Sequence, residues 1–265
     1  MGIEAGSSTY YQAKRGIVQD GLLINFDVGV KESYRQDSTL RNLNGTQTAS
    51  FTNNPFYIND SGGAISFDGT DDQINLINPN HSRLLSSSLE VVFKKYSNPP
   101  AGSSFYKAII FGYEHVGGSY SNYVSGTMSL NYDGKIKASV ICDNPSQTSP
   151  RGYFEVSSTT SLTVNQYYHI VLNKSVNEDE SGQLKLYVNG TLEGTRDFPA
   201  RLAYWSGAYV GTNYLEMAGT QRGGTIYAGG GHLNGAIAIA RCYNRVLSDN
   251  EIAQNYNATR HRFGL

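Results

Sequence analysis

Short apolar segments closed by turn dipeptides recur along most of this chain, and that spacing constrains its fold more than any other feature. Ala64-Ile65-Ser66-Phe67 alternates apolar and small polar residues, and Gln73-Ile74-Asn75-Leu76 repeats the pattern after the turn residues Asp68-Gly69-Thr70-Asp71-Asp72. Leu22 to Phe26 forms a compact apolar run closed by Asp27, and Leu89–Phe93, Ala108–Phe111 and His169–Leu172 read as core strands. Met128-Ser129-Leu130 and Ile136–Ile141 flank Asp133-Gly134, while Leu184, Leu186 and Val188 lead into Asn189-Gly190. Both dipeptides favour the positive φ of a type I′ turn, so each marks a β-hairpin. A period of two over four to eight residues leaves one face of each strand apolar, and two such sheets must bury those faces against each other. The sequence therefore predicts an all-β, two-sheet antiparallel sandwich.

One segment breaks the pattern. Ser248-Asp249-Asn250-Glu251 is a capping box, in which the serine hydroxyl accepts from the Glu251 amide and the glutamate reaches back. Leu247 and Ile252 stand at the two positions of a hydrophobic staple, so a short helix is expected from Ser248 to about Asn257. No linker and no internal repeat divides the chain. The organisation expected is an N-terminal arm over 1–20, one sandwich over 21–258 and a tail over 259–265. The arm is polar, and Lys31 to Gly63, rich in Asn, Ser and Thr, reads as a long surface excursion.

Composition narrows the function. Only 16% of the 265 residues are charged and the formal net charge is −1, so there is no basic stripe for nucleic acid. No run of about 18 apolar residues suggests membrane insertion, and no apolar core near Met1 suggests export. Cys142 and Cys242 read as small buried strand residues, although a disulfide between them stays open.

Catalytic motifs are missing. There is no paired-carboxylate spacing of the glycosidase kind, which needs a nucleophile and an acid at fixed separation. Glu178-Asp179-Glu180 reads as a solvated loop, and the five histidines show no HxxxH spacing for a metal. His169 reads as a packed or rim histidine. Gly223-Gly224 and Gly229-Gly230-Gly231 lack the strand-then-helix setting of a phosphate cradle, so no cofactor is expected. Tyr113, Tyr120, Tyr123, Tyr204 and Trp205 fall in expected loops. Tyr204 with Trp205, then Tyr120 and Tyr123, are the candidates for a ligand-stacking platform.

The blocks GLLINFD (21–27), GGAISFDGTDDQINL (62–76), GQLKLYVNGTLEG (182–194) and LNGAIAIARCYNRVLSDNEIAQNYNATRHRFGL (233–265) resemble, in order, the laminin-G-like, concanavalin A-like lectin jelly rolls. The closing block is similar to virion structural proteins of tailed bacteriophages. That resemblance implies a non-enzymatic subunit of a capsid decoration, tail or fibre. Its implied partners are other virion proteins, with the subunit present as a homo-oligomer or in many copies, made in the host cytoplasm. A carbohydrate-binding adsorption module for host surface glycans is the alternative it implies, and a glycoside hydrolase a more distant one. Calcium-binding members carry an acidic pair in the last core strand, where this chain has Ala238 and Ile239, leaving Asp27, Asp68, Asp71 and Asp72 without that partner. No metal is expected.

Overall fold

A computed structural model describes residues 16–77, 86–101, 107–116, 123–143, 151–179, 181–198, 212–219 and 230–265. Its strands in chain order are β1 (Leu22–Asp27), β2 (Thr39–Arg41), β3 (Thr48–Thr52), β4 (Phe56–Ile58), β5 (Ala64–Asp68), β6 (Gln73–Ile77), β7 (Ser87–Lys95), β8 (Lys107–Val116) and β9 (Tyr123–Leu130). There follow β10 (Lys135–Asp143), β11 (Arg151–Ser161), β12 (Tyr167–Val176), β13 (Gly182–Val188), β14 (Thr191–Phe198), β15 (Thr212–Met217), β16 (Gly230–Gly231) and β17 (Asn234–Tyr243). Among the described residues one helix, α1 (Asp249–Phe263), comes last.

Two sheets result. The first runs β14-β13-β12-β7-β17-β5-β4, with β1 also paired to β17; the second runs β11-β10-β9-β8-β15-β6-β3-β2, with β16 parallel to β8. Every other pairing among the described residues is antiparallel. The period-two alternation explains the core directly. Ile24, Phe26, Ile65, Phe67, Leu89, Val91 and Phe93 of the first sheet meet Ile74, Leu76, Phe111, Met128, Leu130 and Val140 of the second in one apolar cluster. Jelly-roll sandwich architecture is thus present as expected.

The two hairpins differ in turn type. Asn189 and Gly190 both have positive φ (49° and 78°), the type I′ geometry expected. At Asp133-Gly134 only the glycine does (79°), and the Asn131 amide donates to the Lys135 carbonyl across a three-residue loop. A three-residue loop closes through one left-handed residue, so a single glycine suffices there.

Three expectations need correction. Lys31–Gly63 is not a surface excursion: it contains β2, β3 and β4, with Leu40, Leu43 and Ala49 buried. Isolated apolar residues among Asn, Ser and Thr give no visible period, yet three short strands suffice to extend the edges of both sheets. The helix does not stop near Asn257. Asn255, Thr259 and Phe263 continue its buried face, and Gly264, at φ 69°, ends it by donating to the Arg260 carbonyl, so the expected tail is mostly helix. Finally, Ile17 and Val18 of the expected arm are buried against Leu22, Val171, Tyr187, Tyr243, Leu247 and Ile252 of their own sandwich. Residues 1–15 lie outside the described residues.

The capping box forms as read: Ser248 Oγ accepts from the Glu251 amide and the Glu251 carboxylate accepts from the Ser248 amide. Leu247 and Ile252 are both buried, completing the staple. Arg245 adds a bidentate pair to Glu251, and its hydrogen bonds with those of Ser248 hold that carboxyl down to about 2. Ser248→Ala is expected to lower unfolding free energy by about 1 kcal/mol. Denaturant unfolding checks this, and an unchanged midpoint would show that the cap contributes nothing.

Candidate functional site

On the second sheet the positions opposite the core carry small polar residues, of which Gln73, Asn75, Gly112, Thr127 and Ser129 are buried. In β6, Ile74 and Leu76 point into the core, which sends Gln73 and Asn75 to the opposite face. The register then runs Ser50, Asn75, Glu216, Gly112, Thr127, Ser139, Glu155 across seven neighbouring strands. A parallel row carries Thr52 and Gln73 on β3 and β6, and Ser129, Lys137 and Ser157 on β9, β10 and β11. Lys137 pairs with Glu155 at 3.4 Å. Gly112 keeps the middle of the floor flat, since a Cβ there would sit 3.1 Å from Thr127 Oγ1.

Two acceptors on this face have no partner. Asn75 Nδ2 donates to Thr52 Oγ1 at 3.2 Å, but Asn75 Oδ1 and Gln73 Oε1 are buried without a hydrogen bond. A buried amide oxygen left unpaired costs about 1–3 kcal/mol, and these two are closed to solvent, so a donor reaches them only when the face opens. A strip of hydroxyls and amides that is half-exposed at Lys137, Ser139 and Glu155 and exposed at Ser157 can hold a ligand rich in hydroxyl groups. The alternation of Gln73-Ile74-Asn75-Leu76 already placed both amides opposite the core. What it could not show was that Asn75 falls in one cross-strand row with Gly112 and Thr127, which the chain order keeps apart.

The aromatic candidates relate to one end of this sheet. Val116 pairs with Thr212, His115 with Tyr123 and Ile77 with Tyr214, so 117–122 and 199–211 both attach there. Tyr120, Tyr204 and Trp205 themselves lie outside the described residues. Tyr123 opens β9 and Tyr113 lies within β8, so both stand in strands rather than in the loops expected. Aromatic residues suit strands, and the β8–β9 hairpin simply extends further than its apolar core suggested.

Asp68, Asp71 and Asp72 are the one group of carboxylates that could hold a metal ion among the described residues, with their oxygens within 4.8 Å of one another. Their hydrogen bonds build a turn instead. Asp72 accepts from the Asn54 and Asp68 amides at 3.0 and 3.1 Å, and Asp68 accepts from the Thr70 amide at 2.7 Å. Asp27 is elsewhere: it takes its cation from Arg262, whose guanidinium bonds to Asp27 Oδ1 and to the Ser61 and Gly63 carbonyls. A chelator is therefore expected to leave the melting temperature unchanged; a fall of many degrees in differential scanning calorimetry would overturn this.

A second polar cluster lies beneath α1, on the outer face of the first sheet. Glu90 Oε1 meets Arg241 Nη1 and His169 Nε2, and Glu90 Oε2 accepts from Asn255 Nδ2 at 2.6 Å. Arg241 Nε donates to Asn25 Oδ1 at 3.1 Å. Burial alone would raise the Glu90 carboxyl, but the Arg241 charge and the His169 and Asn255 contacts outweigh it and hold it well below the usual carboxylate range. His169, with no exposed surface, is packed rather than at a rim. Helix and sheet close over these groups, so they brace the fold and cannot reach a ligand. Asp179 is exposed and accepts from Ser181, as a solvated loop would have it. Cys242 is a free buried thiol pushed up to about 12 by desolvation.

These features define an antiparallel jelly roll with one outer face braced by a helix and the other carrying a polar strip. The family model of the concanavalin A-like lectin/glucanases superfamily matches residues 95–253, and the chain belongs to that superfamily. Among solved structures it is similar to a Trypanosoma rangeli sialidase in complex with sialic acid, at TM-score 0.60 and 13% identity over 92% of this chain and 34% of the sialidase. The botulinum neurotoxin type G receptor binding domain matches at TM-score 0.55 and 12% identity, over 90% of this chain and 51% of that domain. The chain thus spans about a third of the sialidase length and half of the toxin domain, and these likenesses concern the fold. No curated protein matches the sequence.

Proposed function

We propose that this protein is a non-enzymatic, lectin-like structural subunit of a tailed-bacteriophage virion, and that the outer face of its second sheet binds surface glycans of the host. The observation that carries the glycan reading is the polar strip through Asn75, Gly112, Thr127 and Ser139, with unpaired though buried acceptors on Gln73 and Asn75 beneath it. Sugar hydroxyls both donate and accept, so they can satisfy those oxygens and the neighbouring hydroxyls together. Tyr120, Tyr204 and Trp205, outside the described residues, are the rings that this reading assigns to stacking on a sugar face. Supporting the virion reading is the resemblance of the closing block, residues 233–265, to phage structural proteins. Its partners in this reading are other capsid or tail proteins, with many copies per particle after synthesis in the host cytoplasm.

Two measurements test the proposal. Mass spectrometry of purified particles is expected to find the chain in many copies, and its absence would remove the virion reading. Titration with host-wall oligosaccharides is expected to show weak binding that Asn75→Ala reduces about fivefold, the equivalent of one neutral hydrogen bond near 1 kcal/mol. Unaltered binding by that variant would remove the sheet face as the site. Release of new reducing ends would overturn the non-enzymatic reading.

A further inference from the structure

A groove of about 790 Å³ lies on the other side of the sandwich, against the first sheet. Its floor is the outer face of β12 and β13, where Asn173 stands opposite Lys185 and Ser175 opposite Gln183. Its wall is the segment Val246–Glu251 leading into α1. The volume falls in the range of small-ligand sites, roughly 300–1,000 Å³.

The charges of this groove are settled except for one. Arg245 is committed to Glu251 and to Asp20, and Glu251 to Arg245 and the helix cap. Asp249 accepts from the Tyr187 hydroxyl at 2.6 Å and sits in the first helical turn, where the helix dipole offsets its charge. Lys185 is half-buried on the floor and has no ion pair or hydrogen bond. Around it, Gln183 Nε2 is taken by Asp197, leaving Gln183 Oε1 and the exposed Asn250 amide without partners. Leu247 and Tyr187 are buried, so the groove offers a ligand little apolar surface and no open ring face. An ammonium surrounded by amides and hydroxyls matches a carboxylate flanked by hydroxyl groups.

We propose that this groove is a second, separate binding site, for a carboxylate-bearing saccharide of the uronic acid type, with Lys185 taking the carboxylate and Ser175, Gln183 and Asn250 the adjacent hydroxyls. It stands independently of the sheet face proposed for host glycans. The test is calorimetric titration of the full chain with oligogalacturonate and, in parallel, with a neutral galactose oligomer. Expected are salt-sensitive binding of the uronate, a loss of about tenfold on Lys185→Ala, retention by Lys185→Arg and no change with Asn75→Ala. Equal binding of the neutral oligomer, unaltered uronate binding by Lys185→Ala, or no uronate binding at millimolar concentration would each overturn the proposal. Since Lys185 is half-exposed and unpaired, its replacement leaves folding intact, which an unchanged melting curve checks.

Discussion

Arg241→Met is expected to destabilise the protein by about 3–5 kcal/mol at neutral pH, more than any other single change considered. The cause is the charge left behind. Glu90 and Arg241 are both fully buried between the first sheet and α1, and without the guanidinium the carboxylate keeps only His169 and Asn255. The pH dependence separates this from a packing defect. In the native protein Glu90 is depressed, so its contribution is present above the ordinary carboxylate pKa and lost as pH falls below it. In the variant, burial without Arg241 raises Glu90 instead, so the sign reverses and the variant recovers stability as pH falls from 7 toward 4. Glu90→Gln combined with Arg241→Met should restore much of the loss. Thermal unfolding across pH checks both, and a deficit independent of pH would show that the ion pair is not its source.

Asn255→Ala is expected to cost about 2–4 kcal/mol and to free the segment before β1. Asn255 holds three groups at once: Nδ2 donates to Glu90 and to the Tyr243 hydroxyl, and Oδ1 accepts from the Val18 amide at 2.8 Å. The Tyr243 hydroxyl in turn donates to the Val18 carbonyl at 3.3 Å. One side chain of the helix thus fixes the backbone of Val18 on both sides through the network. Removing it leaves the Val18 amide without an acceptor and takes a donor from Glu90 Oε2, so Ile17 and Val18 then rely on apolar contact and the single Tyr243 hydrogen bond. Hydrogen exchange at 16–20 should speed up well before the sandwich core responds. Protection as strong as in the native chain would refute the clamp. Because Asn255 and Arg241 share Glu90, their effects should not add.

What the sequence by itself determined is the part governed by local periods. Alternation located β5, β6 and β13, a compact apolar run located β1, turn dipeptides located two hairpins, and the capping box with its staple located the start of α1. Each of these rests on residues within a few positions of one another, where chain geometry alone dictates which groups meet. The aromatic residues supplied names without places, since Tyr113 and Tyr123 proved to be strand residues. The strands β2–β4 stayed hidden because strands of three to five residues carry too little period of their own and form only when a neighbour supplies their hydrogen bonds. The tertiary structure alone decided that Glu90, His169, Arg241 and Asn255 share one buried site, that Arg262 neutralises Asp27, and that Asn75, Gly112, Thr127 and Ser139 form one strip. Those groups come from strands brought together by register and crossover. The free energy that pairs them, desolvation set against charge and hydrogen bonding, exists only once the sheets have closed.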